Sequence, residues 1–193
     1  MEKVRLTRSR IAGSMAGALM LLVGQSAMAS ELSYTYVELE YVDGEILDEG
    51  ADGFGLKGSV AISDMFFLAG SYQDGEFDGF DLDIELSRFG VGAHGELNDS
   101  IDWVVSVDYA RAEVGDSFSS VDDSGYILDL GIRGVAGDAF EYSAAIIRWD
   151  IGGSETGFRL GGRYHFGDSS NVSAGLDYVQ YGSNWDQLEL GIR

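Results

Sequence analysis

Asp81-Leu82-Asp83-Ile84-Glu85-Leu86 and, near the C-terminal end, Gln187-Leu188-Glu189-Leu190-Gly191-Ile192 alternate one polar with one apolar side chain. Successive side chains on a strand point to opposite faces, so each run predicts a strand with one charged and one apolar face. Read outward from these two, the alternation recurs in ten runs. They cover approximately 34–47, 53–62, 66–73, 81–94, 101–113, 126–136, 141–151, 157–166, 172–181 and 186–193, and no proline interrupts them. No stretch holds a helical period for three turns, and the 28 glycines would weaken one. Turn residues separate the runs at hairpin spacing. The pattern predicts an all-β, up-and-down antiparallel transmembrane β-barrel of about ten strands, with eight as the smaller compatible count. Most runs are near the nine to eleven or so residues that a tilted strand needs to cross a bilayer. The competing fold is a soluble barrel or sandwich with the apolar face turned inward.

The first 29 residues have the three parts of an export signal. Lys3, Arg5, Arg8 and Arg10 form a basic start, Ile11 to Val23 is mostly apolar, and Ala27-Met28-Ala29 offers small residues for cleavage before Ser30. This divides the chain into a signal peptide, 1–29, and a barrel domain, 30–193. With four of the 12 Lys/Arg and one of the 33 Asp/Glu in the leader, the barrel domain keeps 8 basic and 32 acidic side chains, a net charge near −24. So acidic a surface repels nucleic acid and favours cations. The chain has no cysteine, hence no disulfide and no thiolate metal site.

An exported chain begins on the inner side of the membrane, so the connections 48–52, 74–79, 114–125, 152–157 and 182–185 are expected to face outward. They hold ten carboxylates and no Lys or Arg. Hard cations prefer carboxylate oxygen, which makes Asp74, Glu76, Asp78, Asp116, Asp122 and Asp123 candidate weak Ca²⁺ or Mg²⁺ ligands, set against a plain solvated acidic rim. Aromatic residues gather toward strand ends (Tyr36, Tyr41, Phe54, Trp103, Tyr109, Tyr126, Tyr142, Trp149, Tyr164, Phe166, Tyr178 and Tyr181), as two headgroup-level girdles would. On the polar faces stand Glu38, Glu40, Asp81, Asp83, Glu85, Asp108, Asp129, Asp177 and Glu189, together with Lys57, Arg133, Arg159 and Arg163. In a narrow lumen these form an expected charge network, with arginines taking carboxylates as bidentate pairs. Arg88 falls where the alternation slips. Phe89, Val91 and Ala93 continue the apolar face only if one residue bulges near Ser87.

The hairpin pattern resembles the small proteobacterial outer-membrane barrels of the porin-like and OmpA/OmpX type. The stretch Leu32-Ser33-Tyr34-Thr35-Tyr36-Val37-Glu38 is similar to the start of secreted small barrels once proposed as immunity activators and quorum factors. The resemblance implies residence in the outer membrane of a Gram-negative bacterium or its vesicles. It also implies contact with outer-membrane lipid, lipopolysaccharide and the barrel-assembly machinery. One departure is that such barrels usually close on an aromatic residue, whereas this chain ends Gly191-Ile192-Arg193. That leaves three expectations: insertion by internal signals, a few further C-terminal residues, or a soluble fold.

Catalytic patterns are sparse. The two histidines, His94 and His165, fall where even-numbered strands descend to the inner side, far from the outer rim where a barrel hydrolase or acyltransferase needs its base. No Gly-x-Ser-x-Gly elbow occurs. The expectation is a non-enzymatic barrel without cofactor, its lumen largely filled by charged side chains, that supports envelope integrity or surface interaction. The alternatives are a narrow cation-preferring channel and, behind it, an outer-leaflet hydrolase or acyltransferase.

Overall fold

Every alternating run becomes a strand, and every strand pairs antiparallel with the next. The computed structural model describes residues 32–46, 49–78, 82–116, 118–167, 172–182 and 185–193. Its strands are β1 (Tyr36–Ile46), β2 (Glu49–Ala61), β3 (Phe66–Phe77), β4 (Asp83–Asn98), β5 (Ile101–Gly115), β6 (Ser120–Ala136), β7 (Phe140–Asp150), β8 (Ser154–Phe166), β9 (Val172–Tyr181) and β10 (Trp185–Ile192). β1 also pairs with β10, from Leu39↔Ile192 to Ile46↔Trp185, which closes the sheet into a ten-stranded barrel. The expected leader, Asp48 and Asp81 lie outside the described residues.

Turn chemistry is local. At the end that carries Leu32 and Arg193, called the lower end, Ser63 Oγ accepts from the Phe66 amide at 3.0 Å and Asn98 Oδ1 from the Ser100 amide at 3.0 Å. Gly137, at φ 67°, supplies the left-handed residue between β6 and β7. At the upper end the strands run further than the alternation indicates. β2 begins at Glu49, β3 continues to Phe77, and β6 begins at Ser120. Much of the outward connections expected at 48–52, 74–79 and 114–125 is therefore strand. Once the register is set, backbone pairing continues without apolar side chains to advertise it.

Through the middle of the barrel the faces are those of a membrane wall. Leu39, Leu130, Leu160, Leu190 and Ile192 point outward and are more than half exposed, whereas Glu38, Glu40, Asp129 and Glu189 on the same strands point inward and are buried. A soluble barrel would reverse this. Above a ring of outward aromatics, the reversal occurs. On β1 the outward Leu39 and Tyr41 are followed by Asp43 and Glu45, while the inward Glu38 and Glu40 are followed by Val42 and Ile46. β3 passes outward from Tyr72 to Asp74 and Glu76, and β5 from Tyr109 to Arg111 and Glu113. Inside the upper barrel Leu86, Ala110, Ile127, Ile147 and Val179 build an apolar core. The strands thus obey the lipid rule up to the aromatic ring and the water rule beyond it.

This corrects the reading of β4. Its pairing with β3 runs without a break from Phe66↔Ala93 to Glu76↔Asp83, so nothing bulges at Ser87; the register shift lies instead at Glu96/Asn98. The slip in alternation marks the membrane boundary. Asp83 and Glu85 consequently stand on the outer face, and Ile84 and Leu86 point inward. The upper girdle includes Tyr41 against Phe54 at 5.4 Å, Tyr109 against Tyr126 at 6.0 Å and Phe158 against Tyr178 at 5.8 Å. Phe66, Phe140, Tyr164 and Phe166 face outward at the lower end. Tyr36, Trp149 and Tyr181, expected in the girdles, point into the barrel.

The boundary is testable on one strand. Leu130→Arg, on the lipid face, is expected to lower the unfolding free energy by about 2–4 kcal/mol. Ser124→Arg, on the same face but above Tyr126, should change it by less than about 0.5 kcal/mol. Urea titration of the protein refolded in phosphatidylcholine bilayers measures both, and equal losses would remove the boundary.

Candidate functional site

The lumen concentrates most of the positive charge among the described residues. Of their eight Lys and Arg, six (Lys57, Arg88, Arg133, Arg159, Arg163 and Arg193) line one interior cavity of about 230 Å³. The same wall carries six carboxylates: Glu38, Asp108, Asp129, Glu141, Asp177 and Glu189. Alternation places each there, because these residues share the inward parity of their strands.

The ion pairs run across the barrel as well as along it. Arg163 Nη2 donates to both Glu38 oxygens at 2.7 Å, and Arg193 Nε reaches Glu38 Oε2 at 3.3 Å. Lys57 Nζ lies 2.7 Å from Glu40 Oε2 and 2.7 Å from Glu189 Oε2. Gln73 Nε2 donates to Glu40 at 2.8 Å, and Gln187 Nε2 to Glu189 at 2.5 Å. Arg88 Nη2 bridges Asp108 at 2.8 Å and Asp129 at 2.9 Å, with Arg159 Nη1 3.7 Å from the other Asp129 oxygen. Unpaired burial of such charges would cost several kcal/mol each, so this pairing is a condition of the fold. Ser59 Oγ and Arg159 Nε, both on residues lining the cavity, have no protein partner, and a polar space of this size suits ordered water.

Aromatic side chains pack into both ends of the lumen. At the lower end the segment before β1 turns into the mouth. Tyr34 stacks on His94 at 3.6 Å and on Phe67 at 5.3 Å, and its hydroxyl donates to Asp102 Oδ2 at 2.9 Å. Arg133 lies over the Tyr34 ring at 4.9 Å, donates to the Ser33 carbonyl at 2.8 Å, and holds Glu141 through two bonds of 2.6 and 3.0 Å. At the upper end Trp149, Tyr181 and Trp185 pack with ring centroids 4.8–5.1 Å apart over the apolar core. Trp149 Nε1 donates to the Ile151 carbonyl at 3.1 Å, which satisfies its one polar atom.

Of the expected lumen network, the structure brings Glu38, Glu40, Asp129, Arg133, Arg159, Arg163, Asp177 and Glu189 to the interior. Asp83 and Glu85 are not among them, because the polarity of β4 inverts at their level. Arg133 pairs with Glu141 and Arg159 faces Asp129, partners that single-strand alternation does not name. Glu141 and Asp102 were missed because each begins a strand beside a turn, where only parity with Ser143 or Val104 betrays an inward face. His94 and His165 sit inward at the lower end, 3.6 Å from Asp102 and 3.3 Å from Glu141.

The candidate cation ligands do not converge. Asp74 and Glu76 lie on the outer face of β3, and Asp78 follows that strand. Asp122 faces Arg111 at 3.3 Å, Asp123 sits beside it with the opposite parity, and Asp116 Oδ1 is occupied by the Phe118 and Ser119 amides at 2.7 and 2.8 Å. Among the described residues no three His, Cys, Asp or Glu side chains meet in a metal-binding group.

A closed wall, an apolar belt outside and a charged lumen make this chain a small β-barrel of the outer-membrane type. No protein-family model and no curated protein matches it. Among solved structures, it is similar to the KdgM porin in complex with disordered oligogalacturonate, at 9% identity over 80% of this chain and 96% of that one, with a TM-score of 0.47. It is also similar to the N-terminal β-barrel domain of Pseudomonas aeruginosa OprF, at 16% identity over 81% and 93%, TM-score 0.37. A third is Ail, the attachment invasion locus protein of Yersinia pestis, at 12% identity over 81% and 92%, TM-score 0.36.

Removing one partner of the central pair tests the network. Glu38→Gln leaves Arg163 and Arg193 facing a neutral group and is expected to lower the unfolding free energy by about 3–5 kcal/mol. Adding Arg163→Met to the same chain should restore part of that loss. Strict additivity of the two substitutions in a bilayer urea titration would exclude coupling.

Proposed function

We propose that the chain is a non-enzymatic, non-conducting scaffold of the Gram-negative outer membrane, exported through a cleaved leader and inserted by the barrel-assembly machinery. It supports the envelope and presents a rigid acidic surface. The lower end, with both chain ends and the shorter turns, lies in the periplasm on this reading. The observation that carries it is the narrowing of the lumen at both ends, by Tyr34 below and the Trp149, Tyr181 and Trp185 cluster above. Ten strands are also nearer the size whose interior side chains fill than the size of an open pore.

The channel alternative draws less support. A cation-preferring path needs unpaired carboxylates in the lumen, whereas each of the six lumen bases is ion-paired there, to Glu38, Glu40, Asp108, Asp129, Glu141 or Glu189. The acid excess is outside. A hydrolase or acyltransferase draws none, since both histidines are held at the end opposite the outer leaflet.

Conductance in a planar bilayer decides between scaffold and channel. The intact protein is expected to give little steady current, with only brief small events. Arg163→Ala, which frees Glu38 from its bidentate partner, should raise both leak and thermal lability. Large stable steps from the unmodified protein would overturn the scaffold reading.

The outer face yields a second expectation. Asp43, Asp52, Glu76 and Asp83 stand directly opposite one another across successive strands, and so do Asp74, Glu85, Glu113 and Asp122. Like charges so placed are destabilising. Divalent cations bridging these rows to lipopolysaccharide phosphates would offset that repulsion. Millimolar Mg²⁺ should therefore raise the melting temperature in lipopolysaccharide-containing membranes more than sodium chloride of equal ionic strength does. Equal effects of the two salts would reduce the interaction to screening.

A further inference from the structure

The β5–β6 hairpin stands above its neighbour on one side. β6 pairs with β7 only from Tyr126↔Asp150 downward, whereas it pairs with β5 up to Gly115↔Ser120. Ser120–Ser124 is thus bonded to β5 on one edge, with no strand among the described residues on the other, and all five residues are exposed. The β7–β8 turn lies against Gly125 and the side chain of Asp123, whose Oδ1 accepts from the Ser124 amide at 2.8 Å. A strand edge of this kind presents alternate amides and carbonyls to any chain that lies alongside it.

Two features bear on what this edge can take. Phe118 at the tip is 95% exposed and Val121 on the edge is 76% exposed, beside Asp122 and Asp123, whose charge defends the edge against like-charged strands but not against a basic one. The tip is also held in place. Asp116 Oδ1 accepts from the amides of Phe118 and Ser119, and the Asp116 amide donates to the Ser119 carbonyl at 2.9 Å. Those amides hold the Asp116 carboxyl below its ordinary range. An aromatic anchor presented on a fixed turn loses little entropy when it is covered.

We propose that the free edge of β6, with Phe118 as anchor, is a docking site for an extended basic segment of another protein, which adds to the barrel wall as an outer strand. Charge selects the partner. Glu113, Asp116, Asp122 and Asp123 surround the edge, and the nearby Arg111 is engaged by Glu113 and Asp122. A second copy of this chain would bring the same acids against themselves. The proposal rests on the barrel being a membrane scaffold, and the two can fail separately, since conductance tests the scaffold and edge pairing does not depend on it.

The probe is a (Lys-Val)4 peptide added to the protein in phosphatidylcholine nanodiscs, which carry no anionic lipid to compete. Hydrogen exchange at those backbone amides of 120–124 that point away from β5 is expected to slow at least tenfold. The same peptide N-methylated at every second residue keeps its charge but cannot complete a ladder, and it should give no protection. Phe118→Ala, which removes a side chain with almost no contacts in the barrel, should weaken binding about tenfold, a loss of ~1.4 kcal/mol. Equal binding of the N-methylated peptide, absence of protection at 120–124, or unchanged affinity in Phe118→Ala would each overturn the proposal and leave only general attraction to an acidic surface.

Discussion

Inside a lipid bilayer no water is present to satisfy a backbone amide, so a sheet that crosses it must have no open edge. The pairing of β1 with β10 meets that requirement, and much else follows from it. Closure divides the surroundings of each strand into two media, hydrocarbon outside and a narrow lumen inside. The period-two geometry of a strand then sends alternate side chains to each. Ten strands leave an interior narrow enough for side chains three strands apart to touch, as Glu38 on β1 and Arg163 on β8 do over Gly191 and Gly175 of the strands between them.

The narrowness also decides how charge is distributed. Six cations are drawn inside, where each meets a carboxylate, and only Arg111 and Arg148 remain on the outer surface of the upper barrel. The lumen wall approaches neutrality while the outside above the membrane becomes strongly negative. An overall composition of 33 acids to 12 bases therefore describes the outer surface of the molecule and misdescribes its interior. The lumen is the less acidic part, and the projecting hairpins carry the excess of acids.

Closure has a limit as well as a cause. Above the aromatic ring the outside medium is water again, and backbone groups there can be solvated. The barrel consequently acquires an apolar core around Ile127 and Ile147, and one strand, β6, can continue past its neighbour without a partner. An unpaired edge is tolerated above Tyr126 and would be costly below it.

The alternation in Gln187–Ile192 was sufficient to orient β10, because that strand lies within the lipid zone along nearly all its length. The equally regular Asp81–Leu86 was read with the wrong face outward. Both runs determine a strand and its two faces, together with strand number, hairpin order and the parity that places Glu38, Arg133 and Arg163 on one side. Which side that is depends on whether the segment meets hydrocarbon or water, and a run of six residues does not carry its own height. Nor does alternation say which charges meet, since Arg133 finds Glu141 and Arg88 finds Asp108 on the neighbouring strand through register. The sequence by itself determined a barrel of amphipathic strands, because period two is a property of single strands. Only the tertiary structure decided where polarity inverts, which ion pairs form and that Tyr34 packs into the lower mouth, because those depend on the distances between strands and on the medium each one crosses.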